Sequence, residues 1–376
     1  MLKEENELLT QTGPGTPCGD LMRRYWQPAA LSEELPEGGA PMPLRLLGDD
    51  LVLFRDDQGR PGLLGLHCSH RGADLSYGRL EDGGLRCIYH GWLYDVDGRC
   101  LEQPGEPAGS SFHEKIRHQA YPCVERAGAI FAYLGPGEPP EFPNYEFLNR
   151  PLENSYVMKY LHECNYLQAN EGNLDLGHLN FLHYMRGQDL TTSGERASDS
   201  LLRHQGLVPP VMASPLVLTP YGLRSGKVRG GAEFETEVLT ATEFVLPNLT
   251  AVITGVGNGR VTDARDLDGY SVLWHVPIDD THHWKYDFDF RRNGPIQGIR
   301  RTEMVDYQAI RNLSNRYRQD REEMVNDTYS GFGRDFTVHD KWATEGEAPI
   351  QDRTTEHLGA PDRAITKARE LLLKAI

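Results

Sequence analysis

The sequence predicts an α+β protein: a small antiparallel β domain followed by a larger domain of strands and segregated helices. Three observations carry this reading. Between Pro43 and about Gly135, short apolar runs alternate with turn signals. From Gly135 to Pro143 a Pro- and Gly-rich connector interrupts the pattern, and beyond residue 150 longer strand-like runs give way to amphipathic helical stretches. Short, closely spaced strands make a compact antiparallel domain, and strands packed with separate helices make an α+β one. The bounds that follow are a lead segment at 1–40, a β domain at 41–145 and a larger domain at 146–376. A chain of 376 residues accommodates one large domain or two to three ordinary ones.

Taken in order, Thr12–Gly19 is a Pro/Gly-rich lead and Asp20–Trp26 a short helical stretch. Leu44–Leu47 and Leu51–Phe54 are strands, Asp56-Asp57-Gln58-Gly59 is the turn after them, and Ala129–Leu134 closes the block. Lys159–His183 reads as largely helical. Phe234–Leu246, Leu249–Val256 and His282–Phe290 read as longer strands; Gln297–Thr328 and Asp362–Ile376, rich in Glu, Arg and Lys, read as amphipathic helices. Gly255-x-Gly257-x-Gly259 lies between strands and reads as a turn, and no G-x-G-x-x-G nucleotide fingerprint is present.

Composition excludes several function classes. No run approaches the apolar length of a transmembrane helix. The formal net charge of −16 argues against a nucleic-acid binder or a basic membrane-surface protein. Met1-Leu2-Lys3-Glu4-Glu5 lacks the features of a signal peptide, so a cytoplasmic location is expected. Six scattered cysteines are too few for a disulfide framework in a chain this long, and Cys18, Cys100, Cys123 and Cys164 have no ligand-type neighbours at useful spacing. Cys68 and Cys87 differ, because each stands close to a histidine.

Written as ligands, Cys68-Ser69-His70 and Cys87-Ile88-Tyr89-His90 are C-x-H and C-x2-H, separated by sixteen residues. Two thiolates and two imidazoles can hold a tetrahedral zinc, or a [2Fe–2S] cluster with cysteines on one iron and histidines on the other. The spacer contains Glu81-Asp82-Gly83-Gly84, a turn that joins antiparallel strands and brings both loops to one tip. No helix follows the second cysteine as in a zinc finger. The runs Cys68-Ser69-His70-Arg71-Gly72-Ala73-x-Leu75-x-x-Gly78-Arg79 and Cys87-x-Tyr89-His90-Gly91-Trp92-x-Tyr94-x-x-x-Gly98 resemble the Rieske domain of the ring-hydroxylating oxygenases. The resemblance implies that Cys68 and Cys87 hold one iron, and His70 and His90 the other. Neutral imidazole ligands raise the potential of such a cluster. Rieske proteins of respiratory complexes carry an extra cysteine in each ligand loop; these loops have none, which favours the oxygenase branch.

The second constellation lies in Asn165–His183. On a continuous helix, Glu171, Asp175 and His178 share one face, whereas His178 and His183, five apart, do not, so the backbone must end or distort near Gly177. Two histidines and one distant carboxylate make the facial triad of non-haem iron(II) oxygenases. The candidates for that carboxylate are Asp335, Asp340, Glu345, Glu347 and Asp352. The run resembles the D-x2-H-x4-H iron motif of the same family, in its phthalate-dioxygenase and vanillate O-demethylase-like class. So do Thr10–Trp26 and Val338–Gly359, which places Asp340 where the family's iron carboxylate lies. Asp352 and His357 are expected to tie the last helix down.

The resemblance covers nearly the whole chain. It implies a helix-grip catalytic domain around an apolar pocket, with one [2Fe–2S] cluster and one Fe(II) per chain. The implied reaction uses O2 and NAD(P)H-derived electrons, delivered by a separate flavin and iron–sulfur reductase, to hydroxylate or dihydroxylate a small organic substrate. Aromatic carboxylates lead, with Arg186, Arg203, Arg224 or Arg229 as conceivable partners of the carboxylate. O-demethylation occurs in the same class; the rival from another class is a Rieske electron carrier without catalytic iron. A homotrimer is expected, in which Asp175 orients His178 and reaches His90 or His70 of the adjacent Rieske domain.

Overall fold

The computed structural model describes residues 1–175, 177–178, 182–183, 216–229, 237–257, 268–296 and 302–376. They form two compact units: Gln11–Leu152 with Val276–Asp279, and Met1–Thr10 with Glu153–His275 and Asp280–Ile376. An unexpected helix, α1 (Lys3–Thr10), opens the chain and belongs to the second unit. In the first unit α2 (Pro17–Arg23) starts where Thr16 accepts from the Gly19 amide and Pro17 pre-sets the first turn.

Eleven strands follow: β1 (Gln27–Leu31), β2 (Met42–Leu46), β3 (Asp49–Arg55), β4 (Pro61–Gly65), β5 (Arg79–Glu81), β6 (Gly84–Arg86), β7 (Leu93–Tyr94), β8 (Cys100–Glu102), β9 (Ala120–Tyr121), β10 (Cys123–Arg126) and β11 (Ala129–Ala132). They form three sheets, ordered β2-β3-β4-β9, β5-β6-β7-β8 and β1-β11-β10. Leu51–Arg55 of β3 is buried throughout because strands flank it on both sides. Asp82 and Gly83, both at positive φ, make the two-residue turn between β5 and β6. Val52, Phe54, Leu64, Leu75, Leu85 and Tyr94 form a core that also takes in Cys68, Cys87 and Trp92.

The second unit is built on one antiparallel sheet of seven strands: β12 (Ser155–His162), β13 (Leu216–Thr219), β14 (Gly222–Arg229), β15 (Glu237–Val245), β16 (Leu249–Gly257), β17 (Ser271–Asp279, its last four residues within the first unit) and β18 (His282–Phe290). The order is β12-β18-β17-β16-β15-β14-β13, a meander closed by the earliest strand at its far edge. Helix α3 (Tyr166–Leu174) packs on β15 and β16, as the helix-grip reading expects. Its N-cap Asn165 accepts from the Leu167 amide and donates to the Thr10 and Asp280 carbonyls. After a β19 (Met304–Val305) and β20 (Gln308–Ala309) hairpin come α4 (Arg321–Asn326), α5 (Phe336–Glu345) and α6 (Arg363–Ala375).

Three expectations change. Lys159–His162 belongs to a strand, and the helix begins only at Tyr166. Gly255 and Gly257 continue β16 instead of making a turn; Gly259 lies outside the described residues. Residues 302–320 are a hairpin and a kinked 3-10 segment, because Asp306, Tyr307, Arg316 and Tyr317 adopt positive φ that no α-helix admits.

Candidate metal centres

The two cysteine–histidine loops are built alike. The Cys68 amide donates to Ala73 O and its carbonyl accepts from the Gly72 amide; Cys87 does the same with Trp92 O and the Gly91 amide. Gly72 and Gly91, at φ +72° and +77°, close the two turns where an L side chain would be strained. His70 and His90 meet at 4.3 Å between ring centroids, and Trp92 stacks on His70 at 4.6 Å. Both thiols are buried. Burial pushes the Cys87 thiol up, the Tyr89 amide pulls it back and neighbouring Cys68 raises it again, so a thiolate here calls for a cation. Tyr94 OH lies 3.2 Å from Cys68 Sγ, placed to donate to it.

A tetrahedral zinc would draw all four donors to within about 4 Å of one another. Among the described residues, only His178, His183 and Asp340 bring three such atoms within 4.8 Å. Two neighbouring thiols and two facing imidazoles suit a pair of irons with two protein ligands each. His70 Nδ1 is buried without a hydrogen-bond partner, as an imidazole awaiting a metal would be.

In the second unit α3 stops at Leu174, and Asp175 caps it in an extended conformation. Asp175 and His178 therefore do not share a helical face. Asp175 turns back instead: Oδ1 accepts from the Gly177 amide at 2.7 Å, and Oδ2 stands 3.4 Å from His178 Nδ1. His178 Nε2 then lies 3.2 Å from His183 Nε2 and 3.7 Å from Asp340 Oδ1, and His183 Nε2 is 2.9 Å from that same oxygen. Burial alone would raise the Asp340 carboxyl, but His183, Lys285 and His178 hold it well below the carboxylate range. An N2O donor set open on one side fits Fe(II).

The other candidate carboxylates are occupied elsewhere or stand apart from the triad. Asp335 caps α5, Glu345 pairs with Lys341, and Asp352 caps the Thr354 turn. Glu347 lines the cavity but does not join the three ligand atoms. It is Arg353 and Glu356, not Asp352 and His357, that tie the chain end down: Glu171 accepts from Arg353 at 3.0 Å and from Arg369 of α6 at 2.6 Å, and Glu356 accepts from Arg369 at 2.6 Å.

A cavity of about 300 Å³ opens on the triad. Its described lining carries apolar groups such as Leu182, Leu358 and Ile365 together with His162, His275, Lys285, Glu171 and Arg369. Arg224 is half exposed and paired with Glu243; Arg186, Arg203 and the side chain of Arg229 lie outside the described residues. The sequence reading missed His339, whose Nδ1 meets His183 Nδ1 at 3.3 Å, and Lys285. The alternation His283-x-Lys285-x-Asp287-x-Asp289 was the available signal, though on a strand it reads as a solvent face.

A Rieske [2Fe-2S] domain model matches residues 25–122, and a LigXa C-terminal domain-like model matches residues 132–376. The chain is also 36% identical to the phthalate 4,5-dioxygenase oxygenase subunit of Pseudomonas putida, over 99% of this chain and 85% of that one. The chain belongs to the Rieske non-haem iron oxygenases. As an oxygenase component of that family it is an oxidoreductase that incorporates oxygen. This Rieske oxygenase is 32% identical to the 3-chlorobenzoate-3,4-dioxygenase oxygenase subunit of Comamonas testosteroni, over 100% and 88% of the two chains. It is 31% identical to the 5,5'-dehydrodivanillate O-demethylase oxygenase subunit of a Sphingobium strain, over 99% and 79%. In fold it is similar to dicamba monooxygenase bound to dicamba, with a TM-score of 0.67, 20% identity and coverage of 94% and 97%. No helix among the described residues is long and apolar enough to cross a membrane.

Proposed function

We propose that this Rieske oxygenase hydroxylates or dihydroxylates an aromatic, carboxylated substrate in the cavity of its second unit. His178, His183 and Asp340 would hold one Fe(II), and Cys68, His70, Cys87 and His90 one [2Fe–2S] cluster. The single observation that carries the reading is the convergence of His178 Nε2, His183 Nε2 and Asp340 Oδ1 on a cavity large enough for a ring. The iron supplies O2 activation, and the cluster supplies electrons that begin on NAD(P)H.

The protein's own part is positional. Asp175 orients His178 from behind, and the carboxylate of Asp340 offsets the metal's charge. Electrons would arrive from a separate reductase or ferredoxin; a solved carbazole 1,9a-dioxygenase relative, 22% identical, is an oxygenase and ferredoxin complex. The location is cytoplasmic, and the working assembly is a homotrimer in which the cluster of one subunit serves the iron of the next.

The test is metal analysis joined to turnover. The purified protein should be red-brown and carry about three irons per chain, two of them in the cluster. With a reductase, NADH and aromatic acids it should transfer label from ¹⁸O2 into product. His178→Ala should lose one iron and all oxidation while keeping the cluster spectrum. Two irons per chain and no labelled product would leave an electron carrier; loss of a methyl group as formaldehyde would make it a demethylase.

A further inference from the structure

The cavity has a second polar wall, opposite in character to the anionic Asp340. It is formed by His162 at the end of β12, His275 of β17 and Lys285 of β18. The hydrogen bonds of this wall can be assigned in order from one carbonyl. Cys164 O only accepts, so its 2.8 Å contact fixes a proton on His283 Nδ1. His283 Nε2 is then bare and accepts from His275 Nδ1 at 3.1 Å, which leaves His275 Nε2 to accept from Asn173 Nδ2 at 2.7 Å. Both rings are neutral and fully engaged.

His162 is not. It is 1% exposed, and neither of its ring nitrogens has a hydrogen-bond partner. Rings hold it in place, with His283 stacked at 4.7 Å and Tyr160 at 5.6 Å. Burial, then the charge of Lys341, keep it well below the ordinary histidine value, so it offers one N–H and one lone pair, both unused. Lys285 is 4% exposed, its ammonium 5.2 Å from the Tyr160 ring centroid, and among the described residues it forms no ion pair within 4.0 Å. Burial works against its charge, but Tyr160, Asp340 and Asp287 keep it protonated.

We propose that Lys285 and His162 form an anion subsite that holds the substrate's carboxylate in the same cavity as the iron ligands. The occupant's identity as substrate rests on the oxygenase reading; the subsite itself does not. A buried ammonium with no carboxylate within 4.0 Å among the described residues is only partly compensated, and a ligand carboxylate would take hydrogen bonds from both Lys285 and the His162 N–H. The neighbouring charges leave this role open. Arg369 is committed to Glu171 and Glu356, and Asp340 to the metal site. Asp287, which accepts from Tyr160 OH at 3.5 Å, is pushed up to about 7 by burial and then by Asp289, so near neutral pH it carries only part of a charge.

Calorimetry on the cluster- and iron-loaded protein decides this by comparing benzoate with benzamide, which has the same ring and no charge. The wild type should bind benzoate about tenfold or more tightly than benzamide, the loss expected for a charge-assisted hydrogen bond. Lys285→Gln should erase that preference and change benzamide affinity by less than about twofold, whereas Lys285→Arg should keep the preference. His162→Phe, which preserves ring volume, should weaken benzoate selectively and serves as the second probe if Lys285→Gln does not fold. A wild type without benzoate preference, or a preference that survives both Lys285→Gln and His162→Phe, overturns the subsite. Iron analysis of the same samples keeps the two readings apart: two irons per chain would sink the oxygenase, while the benzoate comparison would still judge Lys285.

Discussion

The Gly333 carbonyl can only accept, so its 2.8 Å contact with His339 Nε2 puts the ring proton there and leaves His339 Nδ1 bare. His183 Nδ1, 3.3 Å away, must then donate, and His183 Nε2 is left with its lone pair facing His178 and Asp340. A backbone oxygen thereby sets the tautomer of a candidate metal ligand through a second imidazole. His339→Leu should weaken Fe(II) binding about 10–100-fold, the usual loss when such a partner is removed. His339→Gln, which keeps an acceptor, should recover most of it. Chelator competition on the protein reads both, with the cluster spectrum as an unchanged internal reference. Equal iron affinity in His339→Leu would leave the relay without energetic weight. At this scale the candidate ligands Cys68, His70, Cys87, His90, His178 and His183 stand out in the sequence because their ligand-type side chains recur at short spacing. His339 was not, since the contact that gives it a role spans 156 residues.

Helix α3 shows what one-dimensional pattern reading loses. Glu171 and Asp175 are four apart and would share a face on a continuous helix, but the helix ends at Leu174 and the two side chains serve different neighbours. Asp175 goes to His178, and Glu171 to two buried arginines, Arg353 and Arg369. The ligand-bearing segment is thus clamped to the C-terminal helix by an ion network in the protein interior. Glu171→Gln leaves both guanidiniums short of a charge and should cost about 3–5 kcal/mol, read as a lower thermal midpoint, because breaking a buried pair exposes the desolvation penalty of the remaining charges. A change under about 0.5 kcal/mol would mean that the network is solvated and the clamp illusory. The long strand Leu249–Gly257 was readable from its β-branched apolar run and His282–Phe290 from its alternating aromatics. Residues 302–320 misled because their Glu and Arg spacing imitates a helix, while Asp306-Tyr307 and Arg316-Tyr317 adopt turn conformations that charge periodicity does not encode.

For the whole molecule, sequence and fold define two units, each with its own metal chemistry, and electrons must pass from one kind of site to the other. Around the cysteine–histidine loops Ile88 and Tyr89 are 62% and 55% exposed, next to the candidate ligand His90. Asp175 is about a third exposed while one oxygen faces His178. The head-to-tail trimer proposed above would close such unlike surfaces on each other. In it, Asp175 would hold His178 on one side and accept from His90 of the partner subunit on the other, joining cluster and iron by two hydrogen bonds. Asp175→Asn keeps the size of the side chain and removes its charge. It should leave about three irons per chain, yet nearly stop turnover, with a cluster that accepts electrons and does not pass them on. Single-turnover reactions of the pre-reduced variant isolate that step, because no reductase is needed and cluster re-oxidation is seen directly by absorbance. Sedimentation of the same preparation reports the assembly. Re-oxidation and product formation at the wild-type rate, or full activity in a monomer, would separate Asp175 from electron transfer and leave it only as the support of His178.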